Sequence, residues 1–74
     1  MSEIQHAKKL LADATNCDPS QIPDDVRLGQ FDRWDSLAHL RLIFGIEGQI
    51  GRQLDPDEVV GIETLADISA RLDS

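Results

Sequence analysis

Apolar residues recur at helical spacing along this chain, and no segment alternates apolar and polar positions cleanly as a half-buried strand would. Ile4, Ala7, Leu10, Leu11 and Ala14 mark one face of a first helix, and Ser2 with Gln5 has the spacing of a capping box at its start. The Asn16–Cys17–Asp18–Pro19 stretch is expected to stop that helix near Thr15, because proline disfavours a helical residue before it. A second helix is expected from Asp35–Ser36 to Ile50, with Asp35 as its cap and Gly51 at its end. A short third helix reads from Asp55: Pro56 suits its first position, Glu58 completes a capping-box spacing, and Gly61 ends it. Thr64 is expected to cap a last helix carrying Leu65, Ile68 and Leu72.

Between the first two helices the periodicity lapses, but Ile22, Val26, Leu28, Phe31 and Trp34 punctuate the segment. Long structureless connections are uncommon in small domains unless anchored or functional. These side chains are expected to pin a long loop to the core, with a helical turn after Pro23. The fold class is therefore all-α: a small four-helix bundle of three longer helices and one short one, with a long loop between helices one and two.

The second helix has more apolar surface than one packing face needs. At helical spacing, Leu42, Ile43, Ile46 and Ile50 form one arc, and Leu37, Leu40 and Phe44 form another flanking Arg41. Ala38, Arg41, Gly45, Gly48 and Gln49 are assigned to a remaining small or polar side. One arc is expected to pack inward and the other to await a partner, since exposed apolar patches mark such sites. Gly45 and Gly48 each cost about 1 kcal/mol relative to Ala in a helix interior; they are read either as permitting close approach of another helix or a partner or as simply tolerated.

Composition narrows the function. Residues 1–74 are read as one domain; a domain this short buries only about 60% of the surface its unfolded chain exposes. That leaves little room for a deep catalytic pocket, and no catalytic residue is assigned. Seven Lys and Arg against fourteen Asp and Glu give a net charge of −7, which makes nucleic acid and anionic lipid poor partners. One cysteine, Cys17, excludes an internal disulfide framework, and with no signal-peptide pattern the expected setting is cytoplasmic. The apolar runs are too short for membrane insertion. Asp55, Asp57 and Glu58 cluster, but they lack calcium-loop spacing and read as capping charge; no metal site is expected.

The sharpest feature is Asp35–Ser36–Leu37 at the start of the second helix. A serine hydroxyl there lies beside free backbone N–H groups and the positive end of the helix dipole, which favour a phosphate attached to it. Nucleophilic catalysis by Ser36 would need a base and an orienting group; neither His6 nor His39 belongs to such a constellation. With the hydrophobic helix that follows, with Leu54 to Glu58 and with Thr64 to Ile68, the motif resembles the acyl carrier protein family. The resemblance extends over residues 34–72 by motif and over the whole chain by helix order. The chain departs from the pattern where family members often carry D/E-L-G before the motif: here it reads Phe31–Asp32–Arg33–Trp34.

The resemblance implies that Ser36 accepts 4′-phosphopantetheine from coenzyme A, transferred by a phosphopantetheinyl transferase that recognises a motif including Asp35. The arm's thiol would hold acyl intermediates as thioesters and deliver them to partner biosynthetic enzymes, so the chemistry belongs to the arm and the partners. It also implies that Leu37, Leu40, Arg41 and Phe44 form the face that a loading enzyme and a downstream synthase or transferase dock against. The protein is expected to be a monomer. Trp34 is read as a loop anchor in preference to a contact with the arm or a partner, and Cys17 as a small apolar residue. Glu47 is the second helix's only acid after Asp35, which points to a dedicated pathway and away from fatty-acid synthase; adding acid at positions 38 and 41 should improve use by synthase enzymes. The alternatives are an aminoacyl or peptidyl carrier of a nonribosomal pathway and, from another class, an unmodified helical adaptor in which Ser36 is dispensable.

Overall fold

The computed structural model describes residues 2–72, with side chains for residues 4–72. Among the described residues four α-helices follow one another: α1 (Ser2–Thr15), α2 (Ser36–Ile50), α3 (Pro56–Val60) and α4 (Leu65–Leu72). Their boundaries follow from local chemistry. Asp35 caps α2 by accepting from the Ala38 N–H at 2.9 Å, and Gly51 closes it in the left-handed region at φ 76°. At α4, Thr64 and Asp67 cap each other reciprocally: Thr64 Oγ1 accepts from the Asp67 N–H at 3.2 Å, and Asp67 Oδ2 accepts from the Thr64 N–H at 3.1 Å. At α3, the Glu58 carboxylate accepts from the Asp55 N–H at 3.1 Å. The capping box expected at Ser2 lies outside the described side chains.

Helix α1 ends where expected, at Thr15, by a different device. Asn16 turns into the left-handed region at φ 60°, the Cys17 N–H bonds the Ala12 carbonyl at 3.0 Å and the Asn16 N–H bonds the Asp13 carbonyl at 3.4 Å. This is a Schellman termination, and Pro19 is not needed to produce it. Pro19 instead opens a single 3-10 turn, Pro19–Gln21. The helical turn expected after Pro23 is a hydrogen-bonded reverse turn, with the Val26 N–H reaching the Pro23 carbonyl at 3.2 Å. The helical turn thus forms at the first proline of the loop and not at the second.

Helices α1, α2 and α4 pack against one another. Their core is aliphatic around one aromatic: Leu11, Trp34, Leu42, Ile46, Ile62 and Ile68 are fully buried. Each such side chain contributes about 1.5–3 kcal/mol relative to leaving it exposed. The long loop is pinned as its sequence suggests, with Ile22, Val26 and Trp34 buried and Leu28 and Phe31 packed against the core. One backbone bridge joins Arg27 to Thr64, and the Leu28 N–H bonds the Glu63 carbonyl at 2.9 Å, so the loop is also tied to the start of α4. The first-helix stripe is shifted from its expected place. Ala12 is buried and Ile4 is exposed, because α1 must face both α2 and α4.

Candidate functional site

Helix α2 separates its two apolar arcs as the spacing anticipates. Leu42, Ile43 and Ile46 are buried, with Ile50 packed at the core edge, while Leu37, Leu40 and Phe44 are 58%, 50% and 61% exposed. Arg41 is exposed beside them. Half to two thirds of three large apolar side chains thus stand in water on one helix face, and the domain's own core does not cover them. Val60 on α3 is also 70% exposed; no periodicity in a five-residue helix marks it in advance.

The third side of α2 needs correction. Ala38 is not on an outer small or polar face. It is buried, because it stands four residues before Leu42 and eight before Ile46 on the core-facing row. An acidic residue at position 38 would therefore enter the core. Gly45 faces α1, where an added Cβ would meet Leu10 Cδ2 at an ordinary 3.5 Å, whereas Gly48 faces open space.

Ser36 is exposed in the first turn of α2. The N–H groups of a first turn lack intrahelical acceptors and carry the positive end of the dipole, which suits an esterified phosphate. Asp35 precedes it, one carboxylate oxygen occupied by the Ala38 N–H. An accessible primary hydroxyl at a helix start thus fits a phosphodiester-linked arm.

One turn further on, His39 bridges three parts of the structure. Trp34 Nε1–H donates to His39 Nδ1 at 3.0 Å, and His39 Nε2 lies 3.0 Å from the Val59 carbonyl oxygen. An indole N–H can only donate, so Nδ1 is the acceptor, Nε2 carries the ring proton, and Nε2–H donates to Val59. Both ring nitrogens are engaged in holding Trp34 and α3. His39 thus has no lone pair to offer as a base to Ser36, in keeping with the expectation that Ser36 is not a catalytic nucleophile. Trp34 is 2% exposed, and its ring stacks on His39 with centroids 6.0 Å apart. It is a loop anchor, and the histidine three residues after Ser36 holds it.

Beyond α2, Glu58 gathers charge. Arg52 approaches its two carboxylate oxygens at 3.3 and 3.2 Å, and Arg71 of α4 approaches at 3.0 Å. The hydrogen bonds from Arg52 and from the Asp55 N–H hold the Glu58 carboxyl down at about 2. The same pairing holds Arg52 more firmly protonated. Glu47, expected as the acid of α2, turns back to accept from the Leu54 N–H at 2.9 Å and fixes the α2–α3 connection. Among the described residues, no group of three or more His, Cys, Asp or Glu is placed to hold a metal ion. No helix among them is long and apolar enough to cross a membrane.

Residues 5–72 match the family model described as a phosphopantetheine attachment site. No curated protein matches the chain. The family match spans nearly the whole chain and all four helices, and such domains carry covalent 4′-phosphopantetheine and work with a phosphopantetheinyl transferase and acyl-handling enzymes without catalytic groups of their own. With its helical architecture and its exposed serine at a helix start, the chain belongs to the phosphopantetheine-dependent carrier proteins of the acyl carrier protein family.

Proposed function

We propose that residues 1–74 act as one carrier unit whose arm is esterified to Ser36, with Asp35 part of what the transferase recognises. The observation that carries this reading is the place of Ser36. It is exposed in the first turn of the helix whose outer face is apolar, in a chain matching the attachment-site family. Bound there, the arm supplies a thiol that holds acyl intermediates as thioesters. Leu37, Leu40, Arg41 and Phe44 then form the docking face for the transferase, the loading enzyme and the downstream synthase or transferase, because they adjoin the serine and remain uncovered. The lone cysteine, Cys17, supports a cytoplasmic setting.

The near-neutral α2, with one Arg, one Glu and one His, supports service in a dedicated pathway; Glu47 is moreover occupied by the Leu54 N–H. An aminoacyl or peptidyl cargo uses the same serine and the same face, and loading assays with each substrate class distinguish the two. Incubation with coenzyme A and a broad-specificity transferase should add the mass of one phosphopantetheine, and Ser36→Ala should abolish the addition. Wild-type protein that stays unmodified would overturn the carrier reading in favour of an adaptor.

A further inference from the structure

Beside Ser36 lies an open groove of about 400 Å³, lined by Leu28, Gly29, Trp34, Asp35, Ser36 and His39. Small-molecule pockets run from about 300 to 1,000 Å³, so this is a small one. A slightly larger hollow at the end of α1 is lined by Asp13, Asn16, Asp18 and other mostly polar groups, and nothing there points to a ligand.

The groove's walls are fixed by different elements. Leu28 is held by its N–H to the Glu63 carbonyl at 2.9 Å, which ties the loop to the start of α4. Trp34 is held from its backbone, where its N–H meets the Phe31 carbonyl at 2.9 Å, and from its indole, bonded to His39. His39 is held in turn by Val59 of α3. These bonds occupy the indole N–H and both imidazole nitrogens, and Asp35 Oδ1 is taken by Ala38. What remains toward the groove is mostly apolar surface, with the second Asp35 carboxylate oxygen and Ser36 as its polar part.

We infer that this groove receives the proximal part of the phosphopantetheine arm, with the paired methyl groups next to the arm's phosphate seated against the half-buried Leu28 and His39, over the buried edge of Trp34. The inference rests on Ser36 being the attachment point. Those two methyls are the first apolar feature after the phosphodiester, so a tether at Ser36 delivers them to the groove before any other group. A short covalent tether gives an effective concentration in the millimolar range, so a modest apolar contact is enough to populate the docked arm. The occupant is the arm's own pantoyl segment, and the outer Leu37–Leu40–Phe44 face stays open for enzymes.

The test uses uniformly ¹³C,¹⁵N-labelled protein carrying an unlabelled arm, with modification verified by intact mass. Isotope-filtered NOE spectra should connect the two arm methyl signals to the Leu28 methyl and His39 ring protons. Amide shifts between unmodified and modified protein should concentrate at Leu28, Gly29 and His39. An adduct on Ser36 whose methyls give no NOE to the protein, or contact Leu40, Phe44 or Val60, overturns the groove inference and leaves the attachment reading standing. Protein that acquires no adduct on Ser36 overturns both.

Discussion

His39 is the residue on which most of the site's local order converges. It accepts from Trp34, donates to Val59 and stands one turn beyond Ser36, so a single imidazole joins the loop, α2 and α3. Leaving a buried donor without its acceptor costs about 1–3 kcal/mol, and His39→Ala does this to the Trp34 indole. We expect His39→Ala to lower unfolding stability by that amount in urea titration, while Ser36→Ala, at an exposed position, changes it by less than about 0.5 kcal/mol. Equal losses in the two variants would contradict the bridging role. None of this is visible as a pattern in the sequence. The spacing of Trp34 and His39 is legible, but the third partner is a backbone carbonyl twenty residues away, which only tertiary packing brings near.

At the scale of elements, the helices were legible because their signals are local. Asp35, Thr64 and Gly51 act within a few residues of themselves, and the buried and exposed arcs of α2 follow from the helical period alone. The misplaced residues are those decided by neighbours in space. Ala38 reads as outer because it is small, yet it lies on the row that α2 turns to the core. Ile4 reads as core because it is apolar, yet it stays exposed while Ala12 is buried. The short α3 depends on long-range ties of the same kind, and Glu58 joins it to Arg52 and to Arg71 of α4.

The Glu58 ties make a pH prediction. Glu58 titrates near 2 when folded, against an ordinary value of 4.5, so the folded state favours its ionised form. The stability it contributes is present above pH 4.5 and is lost as pH falls toward 2. Denaturation midpoints of the wild type and Glu58→Gln should differ at pH 6 and converge across that acid window. A difference that stays constant down to about pH 2 would contradict the assignment.

Across the whole molecule, the −7 net charge is carried mostly away from α2, the helix proposed to meet partners. Helix α2 offers those partners apolar contact and one exposed arginine, Arg41. If acidic charge is what basic synthase surfaces recognise, Arg41→Glu should raise kcat/KM for loading by a fatty-acid synthase enzyme several-fold with folding unchanged, and the effect should shrink at high salt. No gain would remove the charge argument for a dedicated pathway. The companion acid at position 38 is ruled out by that residue's burial.

The central claim is that the arm is attached to Ser36, and mapping the modified protein tests it most directly. Tryptic cleavage after Arg33 and Arg41 releases a peptide of residues 34–41 with Ser36 as its one hydroxyl residue. After reaction with coenzyme A and a transferase, tandem mass spectrometry should place one phosphopantetheine on that peptide and on that serine. A phosphopantetheine found on a peptide bearing Ser2, Ser20, Ser69 or Ser74, or on none, would contradict the account.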